Sequence, residues 1–180
     1  MKIYWCAGYS SCMLLRHLAS IIALPVTAIA FLPIAPVRLF PYAPLWAVPY
    51  TAEISLLVSG MVTAGLGFFL LCSTILIFIK KWNGTIAPWD PPKKLIVTGI
   101  YAHVRNPMHI GVFAILTGES ITIGSAAVTI WTLLFILGNL LYVPLVEENK
   151  LAERFGKLYL IYKKNVPRWI PRLSVWNVNS

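Results

Sequence analysis

Two uninterrupted apolar stretches decide what this chain can fold into. Residues 18–37 carry no charge over 20 positions, and residues 54–79 carry none over 26. About 20 apolar residues in a helix cross the hydrocarbon core of a bilayer. Inside that core every backbone N–H and C=O needs an internal partner, which a helix supplies from its own chain. The composition points the same way: 58% of residues are hydrophobic and 12% charged, against the roughly 25% charged of soluble domains. The fold class expected is therefore an all-α integral membrane protein, and 180 residues suit a single membrane domain over 1–180.

A third apolar block, 110–146, holds one ionisable residue, Glu119, and is long enough for two spans. The segment from Gly118 to Ser125 is rich in small and polar residues, so a helical hairpin is expected, with a short arm over about 107–121 and a longer one over about 126–146. Four transmembrane helices result. The net charge of +9 would suit nucleic acid in a soluble protein, but its distribution has another cause. Five of the 15 basic residues lie in the loop 80–106 and seven in the tail 147–180, while Arg38 alone lies in the opposite loop. By the positive-inside rule the loop, the tail and both termini face the cytoplasm. The expectation is a multi-pass protein of the cell (inner) membrane with no nucleic-acid partner and no obligate protein partner.

Several features read as structure. Residues 1–30 could be a signal peptide, with Lys2, Arg16 and Ala28-Ile29-Ala30 as a crude cleavage pattern, but the apolar run continues past Ala30 to Val37. Pro25, Pro33 and Pro36 kink or shorten the first span. Pro41, Pro44 and Pro49 among aromatics suit an interfacial loop. Gly60, Ala64, Gly65 and Gly67 form a small-residue face that lets a neighbouring helix approach closely. Cys6, Cys12 and Cys72 show no metal-ligand spacing. In the tail EENKLAERFGKLYLIYKK, Leu151, Phe155, Leu158, Tyr159 and Tyr162 recur at helical spacing between Lys and Arg. That pattern predicts an amphipathic cytoplasmic helix on or folded over the membrane face, weakened at Gly156 and ended by Pro167.

The chemistry concentrates at two places that bracket the hairpin and can meet. One is the proline-punctuated loop PPKKLIVTGIYAHVRNPMHIG, ending at Arg105-Asn106-Pro107; the other is Glu147-Glu148, where the last apolar segment ends. Pro107 can open a helix, leaving the amides of its first turn free for a carboxylate or phosphate. Glu147 and Glu148 are two of only six acidic residues, and they can accept from a ligand amine or ribose or pair with Arg105. Glu119 within a span is a functional candidate by position, although Gly118, Ser120 and Gly124 around it suit a hydrated hairpin turn. His103 and His109 flank the corner without forming a metal set, and no metal is expected.

These two blocks resemble the membrane methyltransferases that include isoprenylcysteine carboxyl methyltransferases and phosphatidylethanolamine N-methyltransferases. The similarity covers APWDPPKKLIVTGIYAHVRNPMHIG, the hairpin, and EENKLAERFGKLYLIYKKNVPRWIP. It looks most similar to the bacterial members, whose corner reads RNPMY rather than the RHP of the eukaryotic prenylcysteine enzymes. The resemblance implies S-adenosylmethionine at the cytoplasmic face and a lipophilic, lipid-like acceptor entering from the bilayer among the membrane lipids. It implies cofactor contacts from Lys93, Lys94, Leu95, Ile96, Tyr101, Asn106, Pro107, Met108, His109 and Glu147, with Arg105, His109 and Glu148 in the catalytic core.

Two positions depart from the family pattern. His109 stands where the family usually has Tyr. Val143 stands one turn before the Glu pair, where the prenylcysteine enzymes carry an Arg for the substrate carboxylate. Arg168 in VPRWIP is a candidate substitute in the substrate site, and a lipid amine, a phenol or another acceptor is equally open. Two further readings are a nicotinamide-dependent enzyme of the sterol reductase type, whose C-terminal region shares the arginine-proline corner, and a non-catalytic lipid-binding module with a basic tail.

Overall fold

In a computed structural model, residues 50–81 and 95–176 are described. The expected first span 18–37, the signal-peptide reading, the interfacial loop up to Pro49, and Lys93 and Lys94 lie outside them. The described chain is all-helical, with α1 Tyr50–Lys81, α2 Pro107–Ile123, α3 Ala126–Tyr142, a π-helical turn Val143–Glu147, α4 Glu148–Phe155 and α5 Lys157–Asn165. A 3₁₀ turn, Gly99–Ala102, lies in the connection between α1 and α2. Two helical stretches, Ala52–Ile77 and the continuous Ala126–Phe155, are long and apolar enough to cross a membrane. At 1.5 Å per residue the 17 residues of α2 reach only about 26 Å, slightly less than the hydrocarbon core of roughly 30 Å.

α1 and α2 pack backbone against backbone. Glycines spaced by seven on each helix pair up, Gly60 with Gly118 and Gly67 with Gly111. A Cβ built on Gly118 would stand 2.5 Å from Gly60 O and 2.6 Å from Ala64 N, and one on Gly67 would stand 2.7 Å from Gly111 O. Side chains of any size would wedge these helices apart, which is why small residues line the seam. The small-residue face expected from the sequence is this seam, except at Gly65, around which a Cβ would meet open space. Leu71, Val112, Ile115 and Leu116 fill the space beside the glycines, with Ile75, Met108 and Phe135 packed on them.

The connection between α2 and α3 is tighter than the sequence suggests. Gly118, Glu119 and Ser120 are helical, and the reversal is made at Gly124 (φ 64°), whose N–H donates to Ser120 O at 3.0 Å. Left-handed backbone of this kind is the ordinary province of glycine at a helix end. Gly118 reads as a turn residue by composition, but it is needed for contact with α1. Glu119 accordingly sits on the helix, with Oε2 buried and without a hydrogen-bond partner. Across the turn the Ser120 and Thr129 hydroxyls are 2.8 Å apart, and Thr132 Oγ1 donates to Leu116 O at 3.4 Å.

The expected single amphipathic tail helix is two helices. Gly156 takes φ 55°, ending α4 and starting α5, so the helical phase resets between Phe155 and Lys157. Tyr159 and Tyr162 then face inward, where with Val166 and Trp176 they form a second core against Leu95, Val97, Leu151 and Phe155. Leu158, expected on the same face, is exposed instead. Replacing Gly118 by Leu should destabilise the α1–α2 seam by about 1–3 kcal/mol or more, the usual cost of overpacking. The check is thermal unfolding of the purified protein in detergent, with Gly65→Leu expected to leave the midpoint nearly unchanged.

Candidate functional site

Pro144 initiates the geometry at the end of the apolar hairpin. It has no N–H for the helical ladder, and the turn widens to π-helix, with Glu148 N–H donating to Val143 O. One extra residue in a turn rotates everything after it by about 100° around the helix axis. Val143 is fully buried in this turn. Val146 is the last residue of the apolar stretch, and Glu147 and Glu148 follow it directly.

Glu148 is 1% exposed and gathers three cations from three parts of the chain. Arg105 Nη1 donates to its Oε1 at 2.7 Å. Arg168 grips both oxygens, Nε to Oε1 at 2.6 Å and Nη2 to Oε2 at 3.0 Å. Lys163 Nζ lies 2.9 Å from Oε2. Burial acts to raise the Glu148 carboxyl, but the hydrogen bonds from Arg168 and Lys163 and the charges of Arg105 and Arg168 outweigh it and hold the group below the usual carboxylate range. Tyr159, hydrogen-bonded to Arg105, has its phenol pushed up to about 12, chiefly by burial and next by the Glu148 charge.

The tail then runs along the corner loop as a backbone partner. Arg105 N–H donates to Pro167 O at 2.9 Å, Arg172 N–H to His103 O at 3.0 Å and Trp176 N–H to Ala102 O at 3.2 Å. His103 Nδ1 is 2.8 Å from Arg172 O; a carbonyl can only accept, so this nitrogen carries the proton. Tyr162 donates its hydroxyl to Tyr101 O at 2.7 Å. Tyr101 is itself buried, and its phenol is held well above the ordinary range by burial, then by Tyr162 and the charge of Glu147.

Glu147 stands apart from the ion cluster. Its carboxyl is raised by burial and by the adjacent Glu148 charge, so a cation placed beside it would be welcomed. His109 Nε2 is 3.9 Å from Glu147 Oε2, too long for a direct hydrogen bond. The His109 ring packs edge-on to Phe113 and Trp169, each with centroids 6.2 Å away, and Phe113 meets Trp169 at 5.5 Å and Phe135 at 6.4 Å. Asn106 caps α2 by its backbone only, and its Nδ2 is buried without a partner, as is Arg105 Nε.

Of the residues singled out from the sequence, Arg105, Glu148 and Arg168 come into direct contact, and His109, Glu147, Asn106 and Pro107 share the corner beside them. Tyr101 is coupled to Glu147 through its charge. Met108 turns into the core between the spans, Leu95 packs against the tail core, and Ile96 is buried. Sequence reasoning passed over Lys163, Phe113 and Trp169. Phe113 follows His109 by four residues, a same-face spacing that could have found it; Lys163 had no signal of its own among the tail lysines.

Removing the acid should release the tail. Glu148→Ala leaves three cations facing one another, and breaking a buried pair costs about 3–5 kcal/mol. A lower unfolding midpoint and faster tryptic cleavage of the tail are expected. Because the folded carboxyl titrates below its unfolded value, its stabilisation is complete above the ordinary carboxylate range near 4.5 and is lost as pH falls through and below it. A tryptic rate in Glu148→Ala equal to that of the unmodified protein would contradict the assignment.

Residues 55–158 match the family model for phospholipid methyltransferases, a stretch running from α1 into α5. The chain is also 30% identical over 124 residues to the protein-S-isoprenylcysteine O-methyltransferase of Schizosaccharomyces pombe, a match covering 66% of this chain and 52% of that protein. The chain thus spans about half the length of this curated relative. With the corner, the acid pair and the apolar hairpin brought together in one place, and more than half of the chain matched by the family model, this membrane protein belongs to the phospholipid methyltransferase family.

Proposed function

We propose that the protein transfers a methyl group from S-adenosylmethionine to a lipophilic acceptor that carries an amine or hydroxyl rather than a carboxylate. The observation behind this reading is the saturation of Glu148. Arg105 and Arg168, the two guanidinium groups at the corner, are both bonded to it, and the position at which the prenylcysteine enzymes carry a carboxylate-holding Arg is here Val143, an aliphatic side chain with no exposure. Arg168, considered from the sequence as a replacement for the missing arginine, is committed elsewhere. A substrate carboxylate would thus have to compete with a buried, doubly hydrogen-bonded ion pair.

The residues present suit the methyl donor. Bound there, S-adenosylmethionine would supply an electrophilic methyl carbon on a cationic sulfonium. Glu147, raised by burial and held outside the cation cluster, is the group to face positive charge. Asn106 Nδ2, a buried donor without a partner, is placed to take an acceptor atom of the ligand, and unsatisfied buried donors of this kind cost about 1–3 kcal/mol when left unpaired. Pro107 and the amides of the first turn of α2 suit a carboxylate.

His109 has a distinct role in this reading. An attacking amine or hydroxyl must shed a proton as its bond to carbon forms, and His109 Nε2, beside Glu147, is the group positioned to accept it. Phe113, Trp169 and Phe135 form an apolar wall that holds the acceptor and keeps water from the reacting atoms, the two contributions a displacement of this kind needs most. Arg105, Lys163 and Arg168 act through Glu148 as positioning residues, and Glu148 does the same for the corner. The topology proposed with this activity is four spans, with the loop, the tail and both termini cytoplasmic and the acceptor drawn from the bilayer.

Thermal unfolding and isothermal titration in detergent test the cofactor. S-adenosylmethionine or its demethylated product should raise the midpoint, and NADPH should not. Protection by NADPH alone would favour a reductase, and absence of turnover across a broad lipid panel would favour a binding module. Glu147→Gln and Asn106→Ala should each weaken donor binding about tenfold, the equivalent of one charged or well-placed hydrogen bond, without lowering the unfolding midpoint of the free protein. His109→Phe should instead lower turnover at near-neutral pH with donor affinity within about threefold, and recovery of its rate at high pH would identify the lost group as a base.

A further inference from the structure

We propose that residues 157–175 form a second membrane contact, a wedge that sets aliphatic side chains into an anionic leaflet beside the site. The proposal stands whatever the acceptor proves to be. Its starting point is a segment that is fixed in place and yet bare: Arg172 and Trp176 are tied to the corner loop through their backbones, while Ile170 is 79% exposed, Leu173 fully exposed and Val175 57% exposed. On α5, Leu158 and Ile161 are exposed as well. An ordered aliphatic group facing water gains nothing from its order; one facing lipid does.

Depth supports a bilayer as the covering partner. Trp169 packs against Phe113 at 5.5 Å, and Phe113 lies six residues beyond Pro107, about 9 Å along α2. On the proposed topology α2 crosses the hydrocarbon core from Pro107, which puts Phe113 about 9 Å inside the boundary and Trp169 and its neighbour Ile170 beside the outer acyl chains. The wedge is thus continuous with the lipid-facing surface of the spans.

Charge selects the leaflet. Residues 157–176 contain five cations and no acid. Lys163 and Arg168 are engaged by Glu148, and Arg172 donates to Asn165 O and Ser174 Oγ. Lys157 and Lys164 are exposed and lie within one turn of Leu158 and Ile161 on α5, positions from which long stems can lie along lipid while the ammonium groups meet anionic headgroups. Because the same segment carries Trp169, the leaflet supports one wall of the site.

The test uses the full chain with Cys6, Cys12 and Cys72 changed to Ser and one bimane-labelled cysteine introduced by Leu173→Cys. The protein is reconstituted into nanodiscs of phosphatidylcholine alone or mixed with phosphatidylglycerol. Shallow doxyl-labelled lipid should quench the label, aqueous iodide should quench it less than a Glu153→Cys control, and phosphatidylglycerol should increase the doxyl quenching about twofold. Adding Lys157→Gln and Lys164→Gln should abolish that increase. Iodide quenching equal to the control without doxyl quenching overturns the proposal, and so does shielding from both quenchers, which would mean a protein partner. Equal doxyl quenching in the two lipid mixtures overturns the choice of an anionic leaflet.

Discussion

The carboxylate of Glu148 is the point on which the polar half of the molecule depends. Burying one acid with a single cation seldom stabilises, because desolvation consumes the attraction. Here three cations share the same two oxygens, from the corner loop, from α5 and from the segment after Pro167. The ion cluster and the Tyr159–Tyr162–Trp176 core together make the loop and the tail one unit, and that unit holds Asn106, His109 and Trp169 beside the start of α2.

The membrane half is organised by a different force. Apolar side chains gain little from leaving lipid for one another, so close approach of backbones must supply the attraction. The paired glycines of α1 and α2 provide it, and they hold the start of α2 steady where the corner loop feeds into it. Pro144 links the halves. By widening one turn it separates two adjacent acids into different surroundings: Glu148 among cations, Glu147 toward His109. Neighbouring carboxylates with opposed displacements in their titration suit division of labour, and the proposed transfer uses it, with one acid shaping the site and the other meeting positive charge.

Much of this was legible in the residues. The spans at 54–79 and 126–146 follow from unbroken apolarity, the start of α2 from Pro107, and the fold-back of the tail from the spacing of Leu151, Phe155, Tyr159 and Tyr162. The corner and the acid pair were recognisable as partners because one hairpin separates them. Other features were not legible. Gly118 and Gly124 look alike in sequence, but one serves a seam and the other a turn, and only the presence of α1 distinguishes them. Gly156 reads as a weak point in a helix, whereas positive φ makes it a break that turns Leu158 outward.

By itself the sequence determined that the chain enters a membrane, which segments are apolar, where the basic residues gather and which two polar blocks frame the site, because these depend on composition and on local periodicity. The tertiary structure alone decided which charges pair. Arg168 and Lys163 are separated from Glu148 by 20 and 15 residues, and Arg105 by 43, so no local pattern links them. Whether an arginine is free for a substrate or spent on an acid depends on three-dimensional proximity in a medium of low dielectric constant, where an unpaired charge is too costly to keep.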